Sequence, residues 1–294
     1  MLIRERLETC DFSNSERAVV AFILEKKLEI RDMTTKEIAR EAFASPSTLV
    51  RVAQKMGFSG WNGLKEAFLK EEGYLGSHFQ DIDANLPFQR GDPIMSIAGK
   101  IASLRKEAID DTRALLHHDD LQKAVLMLKK ASSIGVYAAS NNLIIAREFQ
   151  HNMTRIGRKV EMCQLQGEVV FSAYQAERTS CAIVISYSGE TPILIRAAQI
   201  LREHHIPVII ITNIGDSTLA RLGDQVLRIC TREKQYSKIA TFTTDSSIAY
   251  LLDVLYSCLF ALDYEKNLQF KIDAARAVEQ GRGQTTVEII RETT

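Results

Sequence analysis

The apolar positions of this chain change their period partway along it. Up to about residue 72 they recur every three or four residues, as on helices that bury one face. Val19, Val20, Phe22, Ile23 and Leu24 make one such face. Leu49, Val52 and Met56 make another, at i, i+3 and i+7. From about Ser132 onward, short continuous apolar runs take over, rich in Val and Ile. Such runs are what strands buried on both faces require. They predict strands at 134–138, 160–163, 181–186, 208–212 and 225–229. Helical patterns fall between them, near 143–156, 168–175, 192–204 and 217–222. A last helix, from about Asp245 to Leu262, is apolar on most sides. Strands joined by crossover helices imply a parallel sheet with covered faces. The expected fold is therefore an all-α unit followed by an α/β domain with a five-stranded parallel sheet. A flavodoxin-like order, 2-1-3-4-5, would put a ligand crevice where the first and third strands end.

Punctuation refines the N-terminal half. Ser13-Asn14-Ser15-Glu16 can cap a helix, and Thr34 caps a short one over 35–42. Phe43-Ala44 is a brief break. Ser45-Pro46 restarts a helix that stops at Gly57. Two short helices joined so tightly are a helix-turn-helix. In such a unit the N-terminal residues of the second helix meet base edges in the major groove. Here those are Ser45, Ser47, Thr48 and Arg51. Lys55 and Lys65 are placed for phosphates, and Thr35 and Lys36, at the start of the first helix, are expected to bind DNA as well. Between Ser45 and Lys70 the basic residues Arg51, Lys55, Lys65 and Lys70 face one acid, Glu66. An ordinary helical bundle with a solvated charged face is the competing account. Residues 73–92, with Gly73, Gly76, Pro87 and Gly91, read as a linker, and Pro93 opens a long helix to about Leu116.

The third strand runs into Ser186-Tyr187-Ser188-Gly189-Glu190-Thr191-Pro192, where Pro192 suits the first turn of the following helix. Strand, hydroxyl-rich turn and helix start make an anion pocket. Free backbone N–H groups and the positive end of the helix dipole point at whatever sits there. Ser186, Ser188 and Thr191 add hydroxyls, and Gly189 lets the backbone approach closely. The alternative is a capped turn and nothing more. The first strand also ends in a polar stretch, 137–142, containing Ser140 and Asn141, so two polar turns converge on one crevice.

Overall charge adds no hint of a nucleic acid or a membrane, because Lys+Arg and Asp+Glu are both 37 in 294 residues. The specific charge lies in the local basic excess of the second helix. Cys10, Cys163, Cys181, Cys230 and Cys258 are scattered, with no C-x-x-C pair, which argues against structural zinc and a disulfide framework. Buried free thiols in a reducing cytosol fit them better, and with the absence of a signal-peptide core near Met1 we expect a cytoplasmic protein that uses no membrane. His117-His118-Asp119-Asp120 suits a helix N-terminus better than a metal site.

The 186–191 stretch resembles the S-x-S-G-x-T turn of sugar isomerase (SIS) domains, which bind phosphosugars. Ser45-Pro46-Ser47-Thr48-Leu49-Val50-Arg51, then Gly57-Phe58-Ser59-Gly60-Trp61 and Leu64-Lys65, resemble the signatures of an RpiR-type DNA-binding domain. In this order the two are similar to the RpiR family of bacterial transcription regulators. The resemblance implies a helix-turn-helix domain over 1–76, a linker and the start of a connecting helix over 77–104, a SIS domain over 105–266, and a tail over 267–294. It implies Ser186, Ser188, Gly189 and Thr191 as phosphosugar contacts, with Ser140, Asn141 and Glu233 beside them. It implies double-stranded operator DNA, a phosphosugar effector and a homodimer or homotetramer as partners, with no cofactor or metal. The family's first loop is usually glycine-rich, whereas Tyr137, Ala138 and Ala139 stand there. The runner-up is a ketose-aldose isomerase with an accessory helical domain. It would need a carboxylate base from among Glu148, Glu168, Glu190 and Glu233, with His151 beside Glu148 on a helix face. A pure oligomerisation module would leave both the basic helix and the hydroxyl turn unexplained.

Overall fold

The computed structural model describes residues 3–77 and 82–278. The N-terminal unit is helical: α1 (Ile3–Thr9), α2 (Asn14–Lys26), a 3₁₀ turn at Lys27–Asp32, α3 (Thr35–Glu41), α4 (Pro46–Lys55) and α5 (Trp61–Ser77). Thr34 and Glu37 close a reciprocal cap on α3: Thr34 N–H donates to Glu37 Oε2 at 2.7 Å, and Glu37 N–H donates to Thr34 Oγ1 at 3.2 Å. Leu49, Val52 and Met56 of the second helix are buried, as the i, i+3, i+7 spacing requires, against a core with Ile38, Trp61 and Phe68. Helix α5 runs on to Ser77, past the glycine where the linker was expected to begin. Glu71 explains part of this. Its carboxylate accepts the N–H groups of Ile3 and Arg4 at 2.7 and 2.9 Å, so the later turns of α5 cap the start of α1.

Part of the linker, 78–81, lies outside the described residues. Beyond it, Asn85 clasps the later loop at 232–239. Its backbone carbonyl accepts Ile239 N–H at 2.9 Å, and its side-chain oxygen accepts Lys234 N–H at 2.6 Å. Helix α6 (Ile94–Ala114) and α7 (His118–Lys130) lead into the sheet. There follow β1 (Ile134–Ala138), α8 (Asn141–Thr154), β2 (Val160–Met162), α9 (Val169–Tyr174), β3 (Cys181–Ile185), α10 (Pro192–Glu203), β4 (Val208–Thr212), α11 (Thr218–Leu222) and β5 (Gln225–Arg228). All pairings are parallel and the order is β2-β1-β3-β4-β5.

Strand side chains alternate between two cores, as a period of two demands. Ile183, Ile185, Ile209 and Ile211 face α7, α8 and α12 (Phe242–Leu262), whereas Ala182, Val184, Val208 and Ile210 face α9, α10 and α11. Helix α12 is apolar and long enough to cross a membrane by composition, but Ile248, Leu251, Leu252 and Leu255 are buried against the sheet. A helix, α13 (Tyr264–Val278), occupies much of the stretch expected to be a tail from 267. Its start is fixed by Asn267, whose side-chain amide donates to the Phe260 carbonyl at 3.0 Å, and by the Phe260 and Tyr264 rings, 5.4 Å apart. The tail past 278 lies outside the described residues.

One buried charge ties the helical unit together. Glu16 Oε2 accepts Lys55 Nζ at 2.7 Å and Ser13 N–H at 2.9 Å, and only 5% of its side chain is exposed. The hydrogen bond from Lys55, then that from Ser13, holds its carboxyl down to about 2, against an ordinary 4.5. A carboxyl lowered on folding contributes fully above the ordinary value, and that contribution is lost as pH falls toward 2. Glu16→Gln should therefore destabilise the helical unit by about 1–3 kcal/mol at pH 7. The gap to wild type should close as the pH approaches 2. Urea denaturation followed by the fluorescence of Trp61, the single tryptophan and a buried one, measures this. A gap that persists at low pH would show that the charge is not the cause.

Candidate functional sites: the crevice turn and the helix-turn-helix face

The crevice lies where β1 and β3 end. Ser186, the residue after β3, is buried, while Ser188 and Thr191 are half-buried. Ser186 Oγ and Thr191 Oγ1 are 2.9 Å apart and share a hydrogen bond. Thr191 is the N-cap of α10 and Pro192 opens it; the Leu194 and Ile195 N–H groups bond the Thr191 carbonyl at 3.1 and 3.0 Å, so the turn meets the positive end of the α10 dipole and the N–H of Ile193. Gly189 has φ +68, and a Cβ there would collide with the Ser217 side chain and come within 2.9 Å of Thr212 Oγ1. No other residue fits this position without displacing the wall behind it. The turn bonds itself through long contacts: Gly189 N–H donates to Ser186 Oγ and Glu190 N–H to Ser188 Oγ, both at 3.2 Å. Hydroxyls and N–H groups thus surround one small volume at a helix N-terminus, which is the chemistry of an oxyanion or phosphate site.

Across the crevice, Ser140 precedes α8 with φ +52, a backbone state more usual for glycine. Asn141 is turned toward α12. Its amide donates to Asp245 Oδ1 at 2.9 Å and to Thr241 Oγ1 at 3.3 Å, joining the starts of two helices at the crevice rim.

Glu233 is the exception among the residues expected to touch a sugar. Its side chain has no exposed surface. Oε1 accepts Thr243 N–H (2.7 Å), Thr243 Oγ1 (2.7 Å) and Thr244 N–H (3.2 Å). Oε2 accepts Thr244 Oγ1 (2.8 Å) and Lys238 Nζ (3.1 Å). The carboxylate fills the N-terminus of α12, so Glu233 braces that helix instead of opening onto the crevice as expected. Its backbone holds Tyr187: the phenol donates to the Glu233 carbonyl at 2.7 Å and accepts Glu233 N–H at 3.0 Å. Burial, aided by the nearby Glu233 charge, pushes the Tyr187 phenol above its ordinary range, so it stays a neutral hydrogen-bonding group. Lys238 Nζ lies 5.3 Å from the centre of that ring.

The other carboxylates considered for proton transfer sit elsewhere. Glu148 and His151 are exposed on α8, and Glu168 is exposed at the start of α9. Glu190 accepts Thr218 N–H at 2.8 Å, at the start of α11. Among the described residues no three His, Cys, Asp or Glu side chains gather to hold a metal ion. His117 Nε2 instead meets Lys70 Nζ at 3.0 Å.

Sequence reasoning missed Asn213. Its amide donates to the carbonyls of Tyr187 and Ser188 at 2.6 and 3.2 Å, bracing the turn from behind. The signal was present in Asn213-Ile214-Gly215, a turn directly after β4 on the same sheet edge.

In the helical unit, Ser45, Ser47 and Arg51 at and beyond the start of α4 face solvent. Ser45 Oγ meets Ser47 Oγ at 2.8 Å and Thr48 Oγ1 at 3.0 Å, and Arg51 Nη2 donates to Thr48 Oγ1 at 3.1 Å. Thr48 itself is 2% exposed, which corrects its expected place among the base contacts. It orients Arg51 and Ser45, and Ser45 in turn holds Ser47. Lys36 is exposed on α3, and Thr35 is half-buried at its start. Lys55 is held by Glu16, and Lys65 donates to the carbonyls of Arg31 and Met33 at 2.9 and 2.7 Å. Both expected phosphate lysines therefore have structural partners as well. Phe43, in the turn before α4, has φ +51 and is 96% exposed.

Comparison with known proteins matches both sites to families. Residues 2–72 match the model of a helix-turn-helix domain of the rpiR family, and residues 127–255 match that of the SIS domain. An HTH-type transcriptional regulator of Caldanaerobacter subterraneus subsp. tengcongensis is 26% identical over 255 residues, covering 87% of this chain and 88% of that protein. The solved structure of the Vibrio vulnificus NanR protein complexed with ManNAc-6P is 25% identical. It covers 94% of this chain and 97% of that one, with a TM-score of 0.59. The sugar isomerase domain of an RpiR transcription factor from Sphaerobacter thermophilus shares the fold. It has 17% identity, a TM-score of 0.54, and covers 61% of this chain and 98% of that one.

Proposed function

Since the chain belongs to the rpiR family of helix-turn-helix proteins and carries a SIS domain behind that unit, we propose that it is a DNA-binding transcriptional regulator whose operator affinity is set by a phosphosugar. The observation that carries this reading is the conjunction of two surfaces in one chain. One is the exposed Ser45–Ser47–Arg51 face of α4, and the other is the hydroxyl turn at the N-terminus of α10. The first has the shape and polarity to read base edges in a major groove. The second has the donors to hold a dianion with no arginine in the turn itself. A regulator accounts for the carboxylates better than an isomerase does. Glu233 is spent on α12, Glu190 on α11, and Glu148 and Glu168 face solvent. The V. vulnificus relative makes ManNAc-6P, with its six-carbon phosphosugar kin, the first ligand to try.

The ligand half of the reading is tested at Ser188. Removing its hydroxyl in Ser188→Ala should weaken phosphosugar binding by about 1–3 kcal/mol, since hydrogen bonds to charged groups carry that much. Ser188→Glu should abolish binding, because it sets a negative charge where the phosphate must sit. Isothermal titration against a panel of six-carbon sugar phosphates including ManNAc-6P measures both, and equal affinities for wild type and Ser188→Glu would put the phosphate elsewhere.

The DNA half is tested at Arg51. Arg51→Ala should cost about 1–3 kcal/mol on the preferred duplex and relax preference at one base pair. Binding-site selection followed by fluorescence anisotropy reads this, and an unchanged preference removes Arg51 from the readout.

A homodimer would place two α4 helices on a two-fold DNA site. Exposed apolar residues on α13 (Tyr264, Leu268 and Ile272, at i, i+4 and i+8) and at the start of α6 (Ile94 and Met95) supply surface for a second copy. Sedimentation at micromolar concentration should give twice the chain mass of 33.0 kDa, and a single-chain mass would contradict it.

A further inference from the structure

One described cavity lies apart from the crevice turn. It holds about 670 Å³ and lies between the helical unit and the β5 edge of the sheet, with Arg6, Met56 and Phe58 on one wall and Asp216, Arg221 and Arg228 on the other. Crossing it, Arg6 Nη1 meets Asp216 Oδ2 at 3.4 Å, while Arg6 Nη2 donates to the carbonyl of Met56. Met56 is the C-cap of α4, the helix whose other end carries Ser45 and Ser47. Arg6 is thus a clamp with one hand on the recognition helix and the other on the C-terminal domain.

Asp216 belongs to the segment 213–219, and that segment is the wall behind the crevice turn. Asn213 Nδ2 donates to the carbonyls of Tyr187 and Ser188. Leu219 N–H donates to the Gly189 carbonyl at 3.1 Å, Thr218 N–H donates to the Glu190 carboxylate at 2.8 Å, and Ser217 packs against Gly189. The same segment is stiff. Asn213 Oδ1 accepts Gly215 N–H at 2.6 Å, and Arg228 Nη1 donates to the carbonyls of Asn213 and Gly215 at 2.6 and 2.7 Å. Arg221 shares Asp216 with Arg6, at 3.0 Å.

The carbonyls held by this wall belong to the peptide units that present the N–H groups of Ser188, Gly189 and Glu190. A peptide unit is planar, so re-aiming its N–H re-aims its C=O. In the structure, Gly189 N–H is shared between Ser186 Oγ and the Ser186 carbonyl, and Glu190 N–H donates to Ser188 Oγ, all at 3.2 Å. A phosphate dianion, the stronger acceptor, would take those donors from the hydroxyls and from the Ser186 carbonyl. The three carbonyls then turn against Asn213 and Leu219, and the wall must follow or resist. Either way the free energy of segment 213–219 depends on whether the turn is filled, which is what coupling requires.

On the functional reading given above, we infer that segment 213–219, through the Arg6–Asp216 ion pair, carries the state of the phosphosugar turn to the recognition helix α4. The polar, cavity-bearing contact between the two domains leaves α4 room to reorient when the clamp shifts.

The test is the ratio of DNA affinities with and without saturating ManNAc-6P, by fluorescence anisotropy on a duplex selected from a random pool. The full chain is used in four forms: wild type, Arg6→Ala, Asp216→Asn and Asn85→Ala. Wild type should show a ratio on the order of 5–150. Arg6→Ala and Asp216→Asn should bring it to within about twofold of unity, while titration shows ManNAc-6P affinity unchanged within about twofold. Asn85→Ala, which loosens the linker clasp instead, should keep the wild-type ratio. Thermal melts confirm that each variant is folded, and Asp216→Asn preserves side-chain size should Arg6→Ala not fold. A wild-type ratio in both clamp variants overturns the inference. A ratio lost in Asn85→Ala but kept in Arg6→Ala also overturns it, by placing the route in the linker. Wild type that binds neither DNA nor ManNAc-6P overturns the functional reading and not the route.

Discussion

The crevice depends on a contact less than a methyl group wide. Gly189 turns through a left-handed φ with its Cα set against Ser217, so the chain leaving β3 doubles back just before Pro192 opens α10. With any side chain at that point the turn would have to lift off its wall. The hydroxyls of Ser186, Ser188 and Thr191 would then lose their common focus, and the N-terminus of α10 would face a disordered approach. The parallel sheet makes this demand unavoidable. Its crossover connections leave strand ends and helix starts together on one edge, and only a tight, small-residue turn keeps the positive ends of those helices accessible.

Anions of the protein's own occupy the neighbouring positive sites. Glu233 fills the start of α12 so completely that no part of its side chain meets solvent. In the helical unit Glu16 accepts the Ser13 N–H and the Lys55 ammonium. Both carboxylates satisfy helix-end donors that would otherwise cost a few kcal/mol if buried unpaired. At the crevice, Glu233 serves α12 while the Thr191 N-cap of α10 faces the Ser186 hydroxyl.

The helix-turn-helix shows a division of labour within one turn of helix. Thr48 is buried and accepts from Arg51, so a hydroxyl that would be a base contact by position is a brace by environment. Phe43 is the reverse. A bulky side chain with positive φ is strained by about 1–3 kcal/mol, and this one is almost wholly exposed. Nothing in the structure explains what it gains there.

Periodicity alone determined the two-part architecture. Helical spacing to residue 72 and buried strand runs after 132 leave few ways to cover both sheet faces, and the parallel order follows from the crossovers. The turn at 186–191 was legible because its function resides in local backbone: a strand end, small residues and a helix start adjacent in sequence. The extension of α5 to Ser77 and the helix at 264–278 were hidden by residues whose partners lie far along the chain or across a turn, such as Glu71 on Ile3. The roles of Glu233, Thr48, Lys55 and Lys65 were likewise undecidable from composition. Whether a carboxylate, hydroxyl or ammonium meets a ligand or a helix end depends on which donors and acceptors the fold brings within about 3 Å, and desolvation makes those internal partners obligatory once the group is buried. Asn213 and Arg6 carry the same lesson over longer separations, since each acts on residues that only tertiary packing makes its neighbours.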